Sequence, residues 1–423
     1  MVSYEQQLQF KQKQVKDALQ RIGKIPLPEI FPIVGASDDR YYRNKLEYTF
    51  GVYKYIPEAE LKSSQTLRNS GASSPGEGLS NLNAEEPVDL SEERRQRIKE
   101  SRILPPGGGG AGAAGFHAKG LFDKVVDIQK CYLQSEPSNQ AREIVREYAK
   151  ANDLTFYDVR HHVGFLRNVQ LRICTTGEVM VNVIVGENDK EKLEGLLKHL
   201  SEKLPLVTTL VYTINTKKND SLHDLEPITW SGRGYVIEKL EDFQFKIGPK
   251  SFFQTNTRQG ERLYQVTRDF ADLTGNEIVY DLYCGTGSIG IFVSKRAKKI
   301  IGVEMIGEAI DDARENAALN KLADASFYAG DVITICNDDF FAAHGRPDVI
   351  ITDPPRAGMH EKLVRKILDI AAPTVVYVSC NPATQGRDLN LLGEKYDVTK
   401  IQPVDMFPHT QHIENVAQLK LKK

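Results

Sequence analysis

The sequence has no long hydrophobic run and few cysteines, and both absences restrict what the protein can be. No apolar stretch approaches the roughly 20 residues that cross a bilayer, and the first residues, MVSYEQQLQFKQKQ, are too polar for a signal peptide. The five cysteines, at positions 131, 174, 284, 336 and 380, are not spaced for disulfides or zinc. We therefore expect a cytoplasmic protein without a membrane partner, in which a single cysteine can remain a thiol.

The chain also lacks an excess of positive charge. Its formal net charge is −2 over 423 residues, so no global basic field predicts a nucleic-acid partner, although a local basic groove would be enough to bind one. Hydrophobic residues make up 40% and charged residues 26%, which is the balance of a globular protein. The length allows two or three domains, each with its own core.

Strand-like segments dominate the first half of the chain, residues 1–247. A helix is predicted over Tyr4–Arg21 and another over Asp189–Leu204. Residues 61–115 are rich in Ser, Gly, Asn and Pro, which predicts a disordered insertion. The first half is therefore expected to form an α+β domain with an antiparallel sheet.

Short apolar strands alternate regularly with helices in the second half, residues 248–423. A helix over Thr257–Leu273 precedes the apolar segments EIVYDLYCG, KKIIGVEM, ASFYAGDV, PDVIITDPP and TVVYVSCNP. Such alternation predicts right-handed βαβ units in a doubly wound, Rossmann-like α/β domain with a parallel sheet. Ligands of these sheets bind at the carboxyl ends of the strands, so polar residues at those ends are the candidate site residues.

A glycine-rich turn follows the first of these strands. In DLYCGTGSIG, Gly285, Gly287 and Gly290 allow a tight turn and a close approach of the backbone to a ligand. The motif alone is a weak signal, because it can also serve only to pack a helix against a strand. A dinucleotide, with its pyrophosphate at the start of the helix, is one ligand that would fit.

Acidic residues stand at or near the ends of four consecutive strands. Asp281, Glu304, Asp331 and Asp353 would surround one crevice and repel a pyrophosphate. They suit S-adenosylmethionine, which carries ribose hydroxyls, an amino group and a positive centre. Each acid could instead cap the following helix, but four in series favour this cofactor.

Cys380 ends the fifth strand, next to the DPPRAG segment that ends the fourth. Arg356 of that segment stands where amino-methylating enzymes usually carry an aromatic residue, which argues against methylation of an adenine amino group. A thiolate near a methyl donor can add to C6 of uracil and make C5 nucleophilic, after which a general base must remove the C5 proton. A cysteine at a strand end is by itself more often a buried packing residue, but the acids around this one favour the nucleophile.

Several motifs resemble those of the S-adenosylmethionine-dependent RNA uracil-C5 methyltransferases, over nearly the whole chain. They are SFFQTN, DLYCGTGS, DPPRAG, YVSCNP and DMFPHTQHIENV, in that family's order and approximate spacing. The resemblance implies a class I methyltransferase fold, with Cys380 as the nucleophile and Glu414 as the proton-abstracting base. It also implies a set of cofactor contacts, at Gln254, Tyr283, Ser288, Glu304, Asp331 and Asp353.

Two features of many members of that family have no match here. The small N-terminal β-barrel domain that binds RNA is absent, and of the four cysteines that hold a four-iron–four-sulfur cluster only Cys131 corresponds. The other three would precede YEQQLQFKQKQV, where this chain begins. One cysteine cannot hold a cluster, so neither a cluster nor another metal is expected, and N-terminal truncation is favoured over loss of the cluster in the lineage.

The resemblance also indicates residues that face the RNA. They lie in YYRNKLEYTFG and HHVGFLRNV and are Arg43, Asn44, Lys45, His162 and Arg167. Basic residues that alternate with aromatics suit phosphates and splayed bases, although a solvated sheet face has a similar pattern.

The predicted function is methylation of C5 of one uridine in RNA, by a monomer, with 23S rRNA as the expected substrate and tRNA as the close alternative. A cytosine-C5 enzyme fits less well, because DPPRAG has no cysteine after its prolines. SCNP and the series of acids argue against a nicotinamide-dependent oxidoreductase. The intact Cys380 and Glu414 argue against a non-catalytic RNA-binding or folding factor.

Overall fold

The computed structural model of the protein describes residues 2–57 and 112–423. Most of the insertion predicted at 61–115 lies outside these ranges. Its end does not, because Ala113, Ala114 and Gly115 pair with Gly51, Phe50 and Thr49 in a β-ladder, and both alanines are buried. The predicted insertion therefore extends too far, since small residues that are typical of a loop here lie in a strand.

Seven strands form the N-terminal sheet. The elements of this part are α1 (Tyr4–Ala18), β1 (Lys45–Gly51), β2 (Ala113–His117), β3 (Val125–Asp127), α2 (Ser138–Ala151), β4 (Leu166–Ile173), β5 (Val179–Val185), α3 (Lys190–Lys203), β6 (Thr209–Ile214) and β7 (Ile228–Ser231). The strand order is β3-β2-β1-β4-β5-β6-β7. In β1 every second residue is buried, namely Leu46, Tyr48 and Phe50, as expected for a strand with one face on a core.

This sheet is antiparallel, as predicted, except that β5 and β6 run parallel. The two strands are joined by α3, which buries Leu193, Leu196, Leu197 and Leu200 against the sheet. A parallel pair requires a crossover connection of this kind. The prediction of an antiparallel sheet is therefore wrong for this pair. The helix that the sequence predicts over Asp189–Leu204 already indicated a crossover connection between the two strands.

The second sheet also has seven strands. After β8 (Val236–Leu240) and β9 (Phe243–Ile247) come β10 (Ile278–Leu282), β11 (Lys299–Glu304), β12 (Ala325–Ala329), β13 (Val349–Thr352), β14 (Thr374–Ser379), β15 (Tyr396–Val404) and β16 (Glu414–Leu421). The order is β12-β11-β10-β13-β14-β16-β15, with β10 to β14 parallel and β16 antiparallel to both neighbours. This confirms the predicted parallel sheet, and the five apolar segments form its five parallel strands.

Helices cover both faces of this sheet. They are α4 (Thr257–Phe270), α5 (Ser288–Val293), α6 (Gly307–Leu319), α7 (Val332–Ile335), α8 (Asp338–His344), α9 (Glu361–Ile370) and α10 (Pro382–Leu392). Alternate residues of the strands point to opposite faces: Val279 and Ile351 belong to one core, Tyr280 and Ile350 to the other. Two cores on one sheet are the signature of a doubly wound fold.

Two parts of the predicted N-terminal domain pack against this second sheet. Val15 and Leu19, from α1 and the turn after it, belong to the core on one face, and Phe243 and Phe245 of β9 belong to the core on the other. The division predicted at residue 247 therefore differs from the packing. Apolar patterns show that an element buries a face, but not which sheet receives it.

The strand order reverses between β10 and β13, which are neighbours although four α-helices (α5 to α8) and two strands separate them in the chain. At such a reversal the crossover helices lie on opposite faces, and a crevice opens at the carboxyl ends of the strands. The fold thus brings together the residues that end β10, β11, β12, β13 and β14.

Candidate active site

The turn after β10 contains residues in left-handed backbone conformations. Tyr283, Gly285 and Gly287 have φ angles of 62°, 52° and 75°, a region that glycine adopts freely and other residues rarely. A Cβ atom on Gly290 would lie 3.0 Å from Oδ2 of Asp281. The glycines therefore allow the sharp turn and the close packing of α5 on the sheet, as the motif predicts.

Asp281 is a buried carboxylate with one oxygen unsatisfied. Its Oδ2 accepts a hydrogen bond from the Gly290 amide at 2.8 Å, whereas its Oδ1 is buried without a partner among the described residues. Burial raises the pKa of Asp281 to about 7, and the negative charges of Asp353 and Glu304 add to this effect. A cationic ligand would be favourable here, because it would offset the clustered negative charge.

Glu304 and Asp331 lie beside a cavity of about 340 Å³ that Tyr283 also lines. Glu304 accepts hydrogen bonds from the amides of Gly285 at 3.3 Å and Ile306 at 3.0 Å. Asp331 accepts from the Ile333 amide at 2.9 Å and caps α7. Asp331 therefore has the helix-capping role that was considered for these acids. Asp331 and Glu304 nevertheless both line the cavity.

Gln254 and Ser288 have partners within the protein and do not line that cavity. The Gln254 backbone carbonyl accepts a hydrogen bond from Asn44 Nδ2 at 2.8 Å. The Ser288 hydroxyl lies 2.8 Å from that of Tyr264 in α4. Tyr264 also interacts with the charges of Asp353 and Asp281, so Ser288 is linked to the acids at the ends of β10 and β13. Both residues remain predictions for the cofactor site.

Cys380 and Glu414 come from neighbouring antiparallel strands. β14 ends at Ser379, which pairs with Asn415 near the start of β16. When this register is continued by one residue, Cys380 lies opposite Glu414. Directly opposed residues in an antiparallel pair have Cβ atoms about 4.5–5.5 Å apart. The strand ladder therefore brings the two predicted catalytic side chains together.

The residues after Cys380 end the strand and start a helix. The Asn381 side chain accepts a hydrogen bond from the Ala383 amide at 3.1 Å and caps α10, while Pro382 occupies the first turn, where its missing N–H is not needed. Asn381 Nδ2 also donates to the Arg356 carbonyl at 3.0 Å. This arrangement ties the end of β14 to the DPPRAG segment and leaves Cys380 half-buried.

Opposing charges act on the Cys380 thiol. Burial and then the carboxylates of Glu414 and Asp353 raise its pKa to about 11, whereas Arg356, which is hydrogen-bonded to it, acts in the other direction. Burial also raises the pKa of Asp353 to about 7 and that of Glu414 well above its ordinary range, with a further contribution from Asp353. The free thiol is thus protonated at neutral pH and must lose its proton as it reacts.

Arg356 is a cation close to these groups. Its Nη2 lies 3.1 Å from Nδ1 of His412. Burial and then the charge of Arg356 lower the pKa of His412, so the imidazole is neutral at pH 7 and can accept a hydrogen bond from the guanidinium. Together with Cys380 and Glu414, these residues form a compact polar group at the end of β14.

Comparison with known proteins identifies the family. A sequence model of the family described as tRNA (uracil-5-)-methyltransferase matches residues 175–422, which is more than half of the chain. The chain belongs to this family.

Relatives within the family match along the whole chain. A Bacteroides thetaiotaomicron protein named as an RNA methyltransferase is 45% identical over 100% of this chain and 85% of its own length. A Porphyromonas gingivalis protein with the same description is 44% identical over 99% of this chain and 83% of its own length. The crystal structure of the Pyrococcus abyssi tRNA (uracil-54, C5)-methyltransferase in complex with S-adenosyl-L-homocysteine superposes with a TM-score of 0.69. It is 26% identical and covers 99% of this chain and 84% of that one.

The protein is therefore an S-adenosylmethionine-dependent RNA (uracil-C5)-methyltransferase with a class I fold. This confirms the resemblance that the five motifs indicate and the cofactor that the acids at the strand ends suggest. It also removes the nicotinamide-dependent oxidoreductase from consideration.

Three of the five residues predicted to contact RNA are accessible. Arg43 and Lys45 line a groove of about 510 Å³ that also contacts Phe252 of the SFFQTN motif. Burial and the charge of Arg172 lower the pKa of Lys45 to about 8. His162 is half-buried in the N-terminal domain and has a φ of 60°. These three residues remain predictions for the RNA surface of this methyltransferase.

The other two predicted RNA contacts, Asn44 and Arg167, are buried. Asn44 is 4% exposed and donates to the Gln254 carbonyl and the Thr257 hydroxyl, both at 2.8 Å. Arg167 is 1% exposed, donates to backbone carbonyls of the segment that follows β6, and stacks on the Tyr157 ring at 3.9 Å. Both side chains are buried and hold other parts of the protein together, although Arg167 Nε has no partner among the described residues. The predicted direct contact with RNA is corrected for both residues because of this burial.

The described residues contain neither a cluster of metal ligands nor a helix that could span a membrane. Within residues 2–57 and 112–423, no group of three or more His, Cys, Asp or Glu side chains is arranged to hold a metal ion. Cys131 is buried, and its amide donates to Asn139 Oδ1 at 2.7 Å. None of the helices in these ranges combines the length and the apolar character needed to cross a bilayer.

Arg356 and His412 are site residues to which the sequence analysis gives no catalytic role. A signal for His412 exists in the sequence, because it stands two residues before Glu414 and side chains two apart in an extended chain point to the same side. The position of Arg356 beside Cys380 depends on the pairing of β13 with β14. Because β13 and β14 are consecutive in the chain, their pairing is a natural expectation, but only the structure establishes it.

Proposed function

We propose that this enzyme methylates its uridine through a covalent bond between Cys380 and C6 of the base, and that Glu414 removes the C5 proton. The observation that carries the proposal is the register of β14 and β16, which opposes a thiol to a buried carboxylate. Cys380 is also the one cysteine of the five that is not fully buried. A nucleophile needs this access, whereas a packing residue does not.

Cys380 begins the reaction by adding to C6, which turns C5 into an enolate carbon. With a pKa of about 11, the thiol releases its proton to water as the C–S bond forms. The guanidinium of Arg356 stabilises the negative charge that develops on sulfur and on the uracil ring. S-adenosylmethionine would supply the methyl group from its sulfonium centre and leave as S-adenosylhomocysteine, so that C5 would then carry both a methyl group and a hydrogen.

Glu414 completes the reaction. Its carboxylate takes the proton from C5, the C–H electrons restore the C5=C6 double bond, and Cys380 leaves as a thiolate that is then reprotonated. Burial raises the pKa of Glu414, which makes its ionised form a stronger base than a surface carboxylate.

The crevice at the strand ends fits S-adenosylmethionine. We assign its contacts to Tyr283, Gly285, Glu304, Asp331 and Asp353, the first four of which belong to the glycine turn or the cavity beside it. The unpaired Oδ1 of Asp281 supports a cationic ligand nearby. Gln254 and Ser288 do not line that cavity, and the resemblance is the reason to keep them in the proposed set.

Two classes of RNA are candidates for the substrate. The resemblance favours 23S rRNA, which we place first, whereas the Pyrococcus abyssi structure is that of a tRNA (uracil-54, C5)-methyltransferase and favours tRNA. In either case we place the enzyme in the cytoplasm as a monomer. Mass spectrometry of RNA nucleosides from a deletion strain, with the lost 5-methyluridine mapped to one position, separates the two classes.

RNA that contains 5-fluorouridine at the target position tests the covalent step. Fluorine cannot leave C5 as a proton, so the elimination that frees Cys380 is blocked after methyl transfer. We expect a protein–RNA complex that survives denaturation and carries one methyl group, detected by gel shift and intact-mass analysis. Methyl transfer to this RNA with full release of the protein would contradict a covalent mechanism.

Glu304→Ala should weaken the binding of S-adenosylmethionine by about 2–3 kcal/mol, because hydroxyl groups of the cofactor lose a charged acceptor in a partly buried site. Isothermal titration calorimetry measures the change. Asp311→Ala removes an exposed carboxylate from the helix that follows β11 and serves as the control. If both variants bind the cofactor as tightly as the wild type, Glu304 is not a contact.

The affinity for S-adenosylmethionine should rise between about pH 6 and pH 8. Asp281 and Asp353 have pKa values of about 7 in the free protein. A bound cation lowers both pKa values, so binding releases protons and is opposed at low pH, by up to tenfold per pH unit for each proton. Calorimetry in buffers of different ionisation enthalpy counts these protons. Asp281→Asn should reduce the number of protons that are released on binding. An affinity that does not change with pH would refute the coupling between protonation of these carboxylates and cofactor binding.

A further inference from the structure

Two exposed tyrosines and two cations form a surface patch on the N-terminal domain, which we call the tyrosine patch: Arg40, Tyr41, Lys130 and Tyr132. Tyr41 and Tyr132 are 42% and 49% exposed, and their ring centroids lie 6.0 Å apart. The Arg40 guanidinium is 5.6 Å and the Lys130 ammonium 5.3 Å from the centroid of the Tyr132 ring. Exposed aromatic rings gathered in this way indicate a binding surface.

Backbone hydrogen bonds fix the shape of the tyrosine patch. The amide of Tyr41 donates to the Tyr132 carbonyl at 2.7 Å, and the amide of Arg43 donates to the Leu133 carbonyl at 2.8 Å. Tyr41 has a φ of 55°, a conformation that is costly for a residue other than glycine and that persists only where the surroundings impose it. The backbone that carries the two rings is therefore held in place before any ligand arrives, which lowers the entropy cost of binding there.

The tyrosine patch carries two positive charges, and no described carboxylate pairs with either of them. Within residues 2–57 and 112–423, neither Arg40 nor Lys130 has a carboxylate at ion-pair distance. Arg40, Tyr41 and Arg43 also line a cavity of about 360 Å³. On a chain whose net charge is −2, such a local group of cations favours an anionic ligand.

The tyrosine patch is connected to the active site through Tyr42. The buried Tyr42 hydroxyl donates to the Pro408 carbonyl at 3.0 Å, and the Arg43 guanidinium lies 5.8 Å from the Phe407 ring. Both contacts are made to the loop that leads into Glu414. The tyrosine patch is therefore attached to the segment that carries Glu414.

We infer that the tyrosine patch stacks an unpaired nucleotide of the substrate RNA, a second one in addition to the target uridine; this rests on the proposed function. Aromatic rings stack on bases of any sequence, and lysine and arginine contact the flanking phosphates. A protein partner would be matched by a continuous apolar surface, whereas here each ring is bordered by a cation. The exposed rings, together with cations that have no carboxylate partner in the described part of the chain, favour single-stranded RNA.

Binding of fluorescein-labelled rU12, followed by fluorescence anisotropy, tests the inference, with a 12-base-pair RNA duplex for comparison. Tyr132→Ala should weaken the binding of rU12 about tenfold, as expected when a stacking ring is lost. Tyr132→Phe keeps the ring and should bind like the wild type. Phe10→Ala removes a ring that is 65% exposed on α1 and serves as the control. Lys130→Gln should lower the dependence of log affinity on log salt by about one unit.

A second measurement needs no substitution. Photocrosslinking of an oligonucleotide that contains 4-thiouridine, followed by mass spectrometry, should map RNA to peptides with residues 40–43 or 130–132. The inference is overturned if Tyr132→Ala binds rU12 within twofold of the wild type, or if Phe10→Ala loses as much affinity for rU12 as Tyr132→Ala does. It is also overturned if the wild type binds the duplex more tightly than rU12, or if no crosslink maps to these peptides. Binding of rU12 needs no methyl transfer, so a failure of the proposed mechanism would leave this test intact.

Discussion

Cys380→Ala should form no covalent complex with 5-fluorouridine RNA and produce no 5-methyluridine. Without the thiol, C6 receives no nucleophile, and C5 of uracil is too weakly nucleophilic to take the methyl group. We expect the methylation rate to fall by roughly 10⁴-fold or more, as is usual when the nucleophile of a covalent mechanism is removed. Transfer of tritiated methyl groups to RNA measures the rate, and calorimetry should show that S-adenosylmethionine still binds.

Cys131→Ser is the matched control for the nucleophile. It changes a thiol that is buried in the N-terminal domain and should methylate RNA like the wild type. Cys380→Ser keeps a hydroxyl at the same position, but a hydroxyl is a far weaker nucleophile at neutral pH, so it should be almost as inactive as the alanine variant. Methylation by Cys380→Ala at more than a few per cent of the wild-type rate would exclude a role as nucleophile.

Glu414→Gln should methylate ordinary RNA once and then stall. The variant keeps Cys380 and nearly the same side-chain shape, but the amide cannot take the C5 proton, so elimination is blocked after the methyl group has arrived. Turnover should fall by about 10²–10⁴-fold, which is the usual effect of losing a general base. A methylated protein–RNA complex that survives denaturation should accumulate in amounts close to the amount of enzyme.

The two active-site variants thus differ in the species that they accumulate, and this separates catalytic roles from loss of folding. Glu394→Gln, which changes an exposed glutamate paired with Arg365, is the control and should leave no complex. A Glu414→Gln variant that turns over normally, or one that is inactive and forms no complex with ordinary or fluorinated RNA, would contradict the assignment of Glu414 as the base.

The fold of the second half could be predicted from the sequence because its strands are short and uniformly apolar and its helices fall between them. The parallel sheet and the position of Cys380 beside the DPPRAG segment follow from that alternation. The opposition of Cys380 to Glu414 could not be predicted in this way, because it depends on β16 lying between β14 and β15. Glu414 was found through its motif, and only the strand register gives the physical reason for its role.

The RNA surface was harder to predict because alternation of basic and aromatic residues does not show which side of a strand faces solvent. Arg167 and Asn44 share segments with accessible residues, yet the fold turns their side chains inwards. Lys45 and Asn44 are adjacent and therefore point to opposite sides of an extended chain. A one-residue error in the assumed register exchanges an accessible position for a buried one.

The contact between α1 and the loop before Glu414 has a consequence for synthesis of the protein. The Tyr4 hydroxyl donates to Asp405 Oδ2 at 2.8 Å and Lys11 Nζ donates to Asp405 Oδ1 at 2.6 Å, so groups about 400 residues apart in the chain meet there. A growing chain on the ribosome cannot form these bonds until its last strands have emerged. Glu414, the proposed catalytic base, therefore reaches its final environment only after Asp405 and the strand that follows it have emerged. A nascent chain that has not yet reached residue 414 has no Glu414 to release a methylated RNA.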